Sequence, residues 1–321
     1  MKKTMMTIMG IIVFVALGFL IALAQRARAD DPMAVDEPTA KGASENETTE
    51  HSLTAVNKKL ANPVSNVWSI TVQQNNYVVD PEPGISNKEE RFNSNLQLQP
   101  VMPMALTDSW NLITRPVIQL FNSTPFPRVH LGPQPQVDVE RTTAFGDTIL
   151  MEMLSPSQKL VGNWLLGVGP TFIFPTASSD YTGQGKYQVG PAAVVGYLSK
   201  KWILAAFVQN WSSFAGNSRR GVTNQMNLQP IANYFFGQGW SIGYSGNVLA
   251  NWEAAKGRDV WTVPVGLGIN KVVKFGKLPV KIGLAGQYMP VHPDTFGQRW
   301  NIQLLIIPVI PTLVKGNLFC D

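Results

Sequence analysis

Hydrophobic and polar residues alternate along most of the chain from about residue 66 onward. Residues 92–100 place amide side chains at every second position, with Phe92, Leu96 and Leu98 on the opposite face. Residues 224–236 and 239–252 repeat the pattern. Such alternation predicts β-strands that are long beside the ~5–6 residues of soluble sheets. Crossing a bilayer at a tilt takes about 9–11 residues, so the length favours a membrane barrel over a sandwich.

Counting these segments predicts an all-β protein, a transmembrane antiparallel β-barrel of about twelve strands. The predicted strands are 65–78, 91–104, 109–121, 144–154, 161–174, 187–198, 201–211, 224–236, 239–251, 260–270, 279–289 and 298–308.

The predicted connections alternate between long and short. The long ones are 79–90, 122–143, 175–186 and 212–223, and tight ones lie around 105–108, 199–200 and 237–238. Outer-membrane barrels have long external loops and short periplasmic turns, so we expect the connections of odd rank outside the cell. Tryptophans near the strand ends favour interfacial aromatic girdles, although tryptophan also favours sheets in general. These are Trp110, Trp164, Trp202, Trp211, Trp240, Trp252, Trp261 and Trp300.

The first 29 residues are typical of a secretory signal peptide. Lys2 and Lys3 precede an uncharged apolar run over 4–24, and small residues at 22–24 or 27–29 offer a cleavage site after Ala24 or Ala29. An uncleaved membrane anchor is the alternative, because a spanning helix needs roughly 20 apolar residues.

Residues 30–63 are acidic and show no periodicity, which predicts a disordered linker; a short helix over 53–60 is the alternative. The barrel is then expected over 64–309 and a C-terminal tail over 310–321.

Composition excludes several classes of protein. Four of the 26 basic residues lie in the signal segment, which holds no acid, so the remainder carries 22 basic and 21 acidic residues. That balance leaves no basic footprint for nucleic acid. Cys320 is the only cysteine, so neither a disulfide within the chain nor a cysteine-based zinc site is expected. We expect no cofactor.

Several ordered motifs lie within 144–308: GVGPTFIFPTA at 167–177, GQGKYQVGPAA at 183–193, WSSFAG at 211–216, NLQPIANY at 227–234, WEA at 252–254 and WTVP at 261–264. Together they resemble a known bacterial family, the one named for a MetA pathway of phenol degradation, some of whose members are labelled neuromedin U. The resemblance implies an outer-membrane transporter. Outer-membrane barrels commonly end on an aromatic residue in the last strand. The tail departs from this pattern, because here the chain continues past the last predicted strand.

A few residues could carry chemistry in the loops. His292 could serve as a base for Ser178, Ser179, Ser212, Ser213 or Ser218 in a lipid-acting hydrolase, although no local motif marks a nucleophile. Asp138, Glu140, Asp147 and Asp180 could bind calcium but match no loop motif. Arg219 and Arg220 could bind lipopolysaccharide phosphates or be solvated. The segment 183–185 is expected to tighten a loop tip.

The polar face of the strands carries mainly amides, which suit neutral or weakly polar solutes or a filled, hydrogen-bonded interior. The candidate lumen-lining residues are Asn93, Asn95, Gln97, Gln99, Arg115, Gln225, Asn227, Gln229, Asn233, Asn301 and Gln303.

The sequence therefore predicts a non-enzymatic outer-membrane barrel that passes small molecules, including aromatic or hydrophobic ones, by diffusion. Its expected partners are membrane lipid, lipopolysaccharide, the barrel-assembly machinery and a small solute, with no nucleic acid. The alternatives are an outer-membrane hydrolase, a structural or ligand-binding barrel with a filled lumen, and a soluble periplasmic β-sandwich. The oligomeric state stays open.

Overall fold

The computed structural model describes residues 45–80, 91–130, 136–244, 246–255, 257, 259–294, 296–314 and 316–319. The predicted signal peptide and residues 30–44 of the predicted linker lie outside this part of the chain.

Fourteen strands and two helices make up the described structure. The helices are α1 (Glu45–Ala61) and α2 (Gln158–Val161). The strands are β1 (Ser69–Val79), β2 (Arg91–Ala105), β3 (Trp110–His130), β4 (Gln136–Ala144), β5 (Thr148–Pro156), β6 (Trp164–Phe174), β7 (Lys186–Leu198), β8 (Trp202–Gly216), β9 (Asn224–Gly237), β10 (Trp240–Tyr244), β11 (Val248–Asn251), β12 (Trp261–Phe275), β13 (Leu278–Val291) and β14 (Gln298–Pro308).

These strands form a closed barrel of twelve antiparallel strands. Two positions in the wall are each filled by two short strands, because β4 and β5 both pair with β3, and β10 and β11 both pair with β9 and β12. The barrel closes where β14 pairs with β1, from Val72 opposite Ile306 to Val79 opposite Gln298. Closure lets neighbouring strands satisfy one another's backbone groups, which the hydrocarbon core of a membrane requires. The predicted fold class is confirmed.

The third connection differs from the loop expected over 122–143. β3 continues to His130 and pairs with β4 as a hairpin that extends the wall. The prediction ended the strand too early because Pro125 and Pro127 suggest a loop, but proline is tolerated in edge strands. The wall strand breaks between β4 and β5, where a Cβ on Gly146 would lie 2.8 Å from the Cβ of Gln119.

The two ends of the barrel differ in their connections. The long-loop end carries connections 80–90, 131–135, 175–185, 217–223, 252–260 and 292–297. The short-turn end carries connections 106–109, 157–163, 199–201, 238–239 and 276–277. The three longest connections, 80–90, 175–185 and 252–260, thus share one end.

Aromatic pairs mark both ends of the outer surface. At the short-turn end the rings of Trp202 and Tyr234 lie 4.6 Å apart, and at the long-loop end those of Tyr288 and Trp300 lie 4.7 Å apart. Trp240 on β10 pairs with Lys271 on β12. Lys271 lies ten positions after Trp261 on the same strand, so the two tryptophans are ten strand residues apart along the wall. Ten strand residues at ~3.4 Å each, tilted by ~40°, span roughly 25 Å, the height of the apolar band of a membrane barrel.

One polar pair lies on the outer surface between these aromatic residues. Thr114 pairs with Glu152, while their neighbours Ile113, Met151 and Met153 are buried inside the barrel. Alternation therefore places Thr114 and Glu152 on the lipid side. The Thr114 hydroxyl donates a hydrogen bond of 2.6 Å to Glu152 Oε2.

Helix α1 differs from the disordered linker expected over 30–63 and includes the short helix over 53–60 that was the alternative. The helix lies against β9, β10, β12 and β13 at the short-turn end. Asn57 is fully buried, and its Nδ2 donates to the Gly239 carbonyl at 2.8 Å. The segment is too polar to fold by burying its own surface, but the barrel wall supplies partners that composition does not reveal. Within the described residues, no helix is both long and apolar enough to cross a bilayer.

The residues after β14 cross the short-turn end. The backbone N–H of Ile310 donates to the Trp68 carbonyl at 2.9 Å. Farther along, the N–H groups of Leu318 and Phe319 donate to the carbonyls of Ala105 and Leu106, both at 2.9 Å. The tail thus runs from β14 to the β2–β3 turn.

Candidate functional site in the barrel lumen

One part of the lumen wall is apolar, which corrects the expectation of a polar interior on every strand. Its residues come from β3 and β5–β9, and we call them the apolar wall: Ile113, Met151, Met153, Leu165, Ala192, Val194, Ile203, Phe207, Ile231 and Phe235. Val64, just after α1, packs against both clusters of this wall. Aliphatic packing fills this part of the interior.

The opposite part of the wall carries a hydrogen-bonded network on β1, β2, β3 and β14, which we call the amide network. Its members are Gln73, Asn75, Gln97, Gln99, Arg115 and Gln303. Asn75 Oδ1 accepts from Gln73 Nε2 at 3.1 Å and from Gln303 Nε2 at 3.0 Å.

Gln99 links the rest of this network. Its Nε2 donates to Gln97 Oε1 at 2.9 Å and to Gln73 Oε1 at 3.2 Å. Its Oε1 accepts from Arg115 Nη2 at 2.6 Å. Side chains held by several partners each lose little entropy when a solute arrives, so the network forms a pre-organised polar surface.

A second amide cluster lies at the long-loop end. Gln184, from the β6–β7 connection, donates to Gln225 Oε1 at 3.1 Å, and Gln225 Nε2 donates to Gln188 Oε1 at 3.0 Å. Asp147 holds this connection in place, because its carboxylate accepts from the backbone N–H of Gln184 at 2.7 Å and of Ala177 at 3.2 Å. Gly185 adopts a φ of +67° there, as a tight loop tip requires.

All eleven candidate lumen-lining residues occupy inward positions of their strands. Gln99, Arg115, Gln229, Asn233 and Gln303 border one common cavity. The others lie elsewhere on the inner wall: Asn95 donates to Gln119 at 3.1 Å, Asn301 donates to Gln287 at 3.1 Å and Asn93 donates to Thr124 at 3.3 Å. That any of them contacts a passing solute stays a prediction.

The cavity is partly open and has a volume of about 140 Å³. Residues 59–63, 65 and 67 form its boundary on the α1 side, and the amide network forms much of its wall. Leu305, Ile307 and Ile231 add apolar surface. Since a water needs about 10–15 Å³ by this measure, the cavity has room for roughly ten waters or one small organic molecule.

Sequence reasoning missed several residues of this cavity. Lys281 on β13 is one of them, with a side chain only 6% exposed. Its strand alternates Lys281, Gly283 and Ala285 with Ile282 and Leu284, so extending the period-two analysis to small residues could have found it. Residues 59–67 could not have been found, because nothing in their sequence signals a position inside a barrel.

Comparison with known proteins places this architecture. No protein-family model and no curated protein matches the sequence. Among solved structures, the COG4313 outer membrane channel from Pseudomonas putida F1 superposes with a TM-score of 0.52 at 14% identity, covering 78% of this chain and 98% of that channel. The fold is that of an outer-membrane β-barrel.

Other barrels superpose less well. The NanC porin gives a TM-score of 0.44 at 8% identity over 75% of this chain and 99% of the porin. A FadL homologue from Pseudomonas aeruginosa gives 0.38 at 10% identity over 77% of this chain and 91% of the homologue. The more specific family suggested by the sequence motifs is matched by no family model.

The histidine considered for catalysis is bound to other groups. His292 Nε2 lies 3.5 Å from Asp80 Oδ2, and its Nδ1 lies 2.9 Å from the Pro293 carbonyl. Asp80 Oδ1 also lies 3.4 Å from Arg299 Nε. These contacts tie the β1 end to the β13–β14 connection. Four of the candidate serines, Ser178, Ser179, Ser212 and Ser213, hydrogen-bond to other groups; Ser213 Oγ, for example, accepts from the Thr223 N–H at 2.9 Å.

Three of the four acids considered for calcium are bound to other groups, and the side chain of Asp138 lies outside the part that the structure describes. Glu140 forms a bidentate ion pair with Arg128 at 2.7 and 2.8 Å, and Asp180 lies 3.3 Å from Arg220. Asp147 accepts backbone hydrogen bonds in the β6–β7 connection. Across the part of the chain that the structure describes, no group of three or more His, Cys, Asp or Glu residues could hold a metal ion.

Proposed function

We propose that this protein is a passive outer-membrane channel for small molecules, aromatic ones included. The observation that carries the proposal is the division of the lumen. The apolar wall is packed, while the amide network faces a cavity on the other side of the interior. A polar lining with free volume beside it supports a solute path, and the channel fold of the superposed COG4313 protein agrees with this use. The proposal includes no catalytic step.

The path must pass α1. Thr54 Oγ1 accepts from the Gly239 N–H at 3.2 Å, and the Lys58 ammonium donates to the Lys200 carbonyl and stands 5.9 Å from the centre of the Phe235 ring. Partial burial lowers the pKa of Lys58. These contacts hold the helix across the short-turn end, so we expect displacement of α1 to widen the exit.

The proposal also covers location. Residues 1–29 would direct export and be cleaved, and residues 30–44 would link the signal to α1. The short-turn end would face the periplasm. Lipid and lipopolysaccharide would contact the outer surface, and the barrel-assembly machinery would insert the chain.

Swelling of proteoliposomes in small uncharged solutes tests the channel. Gln229→Trp adds bulk at the cavity, and Leu204→Trp is the matched control, because Leu204 is 55% exposed on the lipid side. We expect flux from the wild type and from Leu204→Trp, and a several-fold loss with Gln229→Trp. Heat-induced gel shift should show that both variants stay folded.

A filled structural barrel is the second candidate, favoured by the packing of Val64 between the two apolar clusters. Wild-type liposomes that swell no faster than protein-free ones would support it and would contradict the channel. Flux that persists in Gln229→Trp would instead move the path away from the amide network.

A further inference from the structure

The cavity beside the amide network has an unbalanced charge. Lys59, Arg115 and Lys281 are on its lining, and no Asp or Glu is among its lining residues in the described part of the chain. Rings of Lys and Arg are the device by which pores favour anions. A cavity with three cations and no carboxylate therefore has a positive potential throughout its volume.

Lys281 is the strongest part of this argument. Its side chain is 6% exposed, and burial removes most of the water that would otherwise solvate its ammonium group. No carboxylate forms an ion pair with it among the residues that the structure describes. Burying a cation without a counter-charge is costly, so the site is incomplete until an anion enters.

Arg115 adds an unused donor. Its Nη2 is bound to Gln99, but its Nε is buried with no hydrogen-bond partner among the described residues. Arginine presents its donors in a rigid plane that suits carboxylates. Gln99 fixes the orientation of that plane, which reduces the entropy lost on binding.

The remaining wall selects the kind of anion. Leu60, Val101, Leu305 and Ile307 also border the cavity. An inorganic anion would leave these side chains in contact with water, whereas an organic acid would cover them with its own apolar part.

We propose that the cavity is a binding site for the carboxylate of a small organic acid, with Arg115 and Lys281 as its charged ligands. The inference rests on the proposed channel, whose solute class it names, and the binding test below does not require flux. An uncharged phenol gains nothing from the two cations, and a cationic solute is repelled.

Binding to the purified full chain in detergent tests the site, with benzoate as the probe and benzyl alcohol as its uncharged counterpart. Isothermal titration should show benzoate binding at least tenfold more tightly. Lys281→Met should weaken benzoate at least fivefold and leave benzyl alcohol unchanged. Lys271→Met is the matched control, because Lys271 lies on the neighbouring strand opposite Ile282 and outside the barrel. It should bind as the wild type does.

Two further variants, one that keeps a charge and one that removes it, separate binding from folding. Lys281→Arg should retain most of the benzoate affinity, and Arg115→Gln should lose it while keeping the heat-shifted gel band of a folded barrel. Equal affinities for benzoate and benzyl alcohol would overturn the proposal. Equal loss in Lys271→Met and Lys281→Met, or displacement of benzoate by equimolar phosphate, would overturn it as well.

Reversal potentials in planar bilayers under a KCl gradient distinguish this inference from the channel proposal. A conducting wild type without anion preference would leave the channel standing and overturn the anion site. Benzoate binding that depends on Lys281, in a protein that conducts nothing, would support the site and contradict the channel.

Discussion

Asn57 Nδ2 donates a hydrogen bond of 3.1 Å to the hydroxyl of Ser241, although 184 positions separate the two residues. The same amide nitrogen donates to the Gly239 carbonyl, and both Asn57 and Ser241 are fully buried. One side chain therefore joins α1 to the inner wall at the start of β10, and the position of the helix depends on it.

Replacing this side chain should release α1. Asn57→Leu removes both hydrogen bonds, and the Gly239 carbonyl loses this donor. Leaving a buried polar group without its partner typically costs about 1–3 kcal/mol. We expect faster hydrogen exchange at the amides of residues 52–61, measured by mass spectrometry, and higher single-channel conductance. Ala55→Gln, at an exposed position of the same helix, should change neither. Unchanged exchange in Asn57→Leu would show that other contacts hold the helix.

The outer face should tolerate an added charge less well than the inner face. Val265 is 50% exposed on the lipid side of β12, whereas Gln229 borders the lumen cavity. Arginine at a bilayer midplane costs about 2–4 kcal/mol. Urea unfolding from lipid vesicles should show a loss of this size for Val265→Arg and a smaller loss for Gln229→Arg. Equal losses would mean that the faces are assigned wrongly.

The lipid-facing pair of Thr114 and Glu152 should show strong coupling. Thr114→Val leaves the carboxyl group of Glu152 without its donor, so we expect about 1–3 kcal/mol of destabilisation. Adding Glu152→Leu removes the unpaired group and should restore the wild-type free energy of unfolding or exceed it. A double-mutant cycle in the same vesicles measures the coupling, and simple additivity of the two changes would count against a lipid-facing hydrogen bond.

Labelling of intact cells should distinguish the two ends of the barrel. In a Cys320→Ser background, Arg219→Cys at the long-loop end should react with an impermeant maleimide. Lys200→Cys, in the β7–β8 turn at the opposite end, should react only after the outer membrane is permeabilised. Lys200 and Arg219 are both solvent-exposed. Labelling of Lys200→Cys in intact cells would therefore show that the barrel has the opposite orientation.

The sequence predicts the wall well because a membrane barrel repeats one local rule. Each strand alternates lipid-facing and lumen-facing residues, so the period of two in 92–100 or 224–236 is visible without knowledge of neighbours. Aromatic residues at strand ends, such as Trp202 and Trp300, follow from the same rule.

The contents of the barrel could not be predicted in this way. The contacts of Asn57 with Gly239 and Ser241 join distant parts of the chain, and no local pattern in 45–63 reveals them. Met151 and Phe207 are apolar but lie on the inner face, because packing against Val64 and its neighbours replaces contact with lipid. Alternation gives the two faces of a strand and does not say which is inside when both carry apolar residues.

The tail after β14 bears on how the cylinder stays shut. β14 and β1 are the last and first strands of the barrel, so no turn connects this pair and backbone pairing alone forms the seam between them. Residues 310–319 run from β14 past Trp68 to the β2–β3 turn, where Leu318 and Phe319 are bound by their backbones. This segment crosses the seam and joins its two sides. Opening the cylinder between β14 and β1 would therefore also require these backbone hydrogen bonds to break.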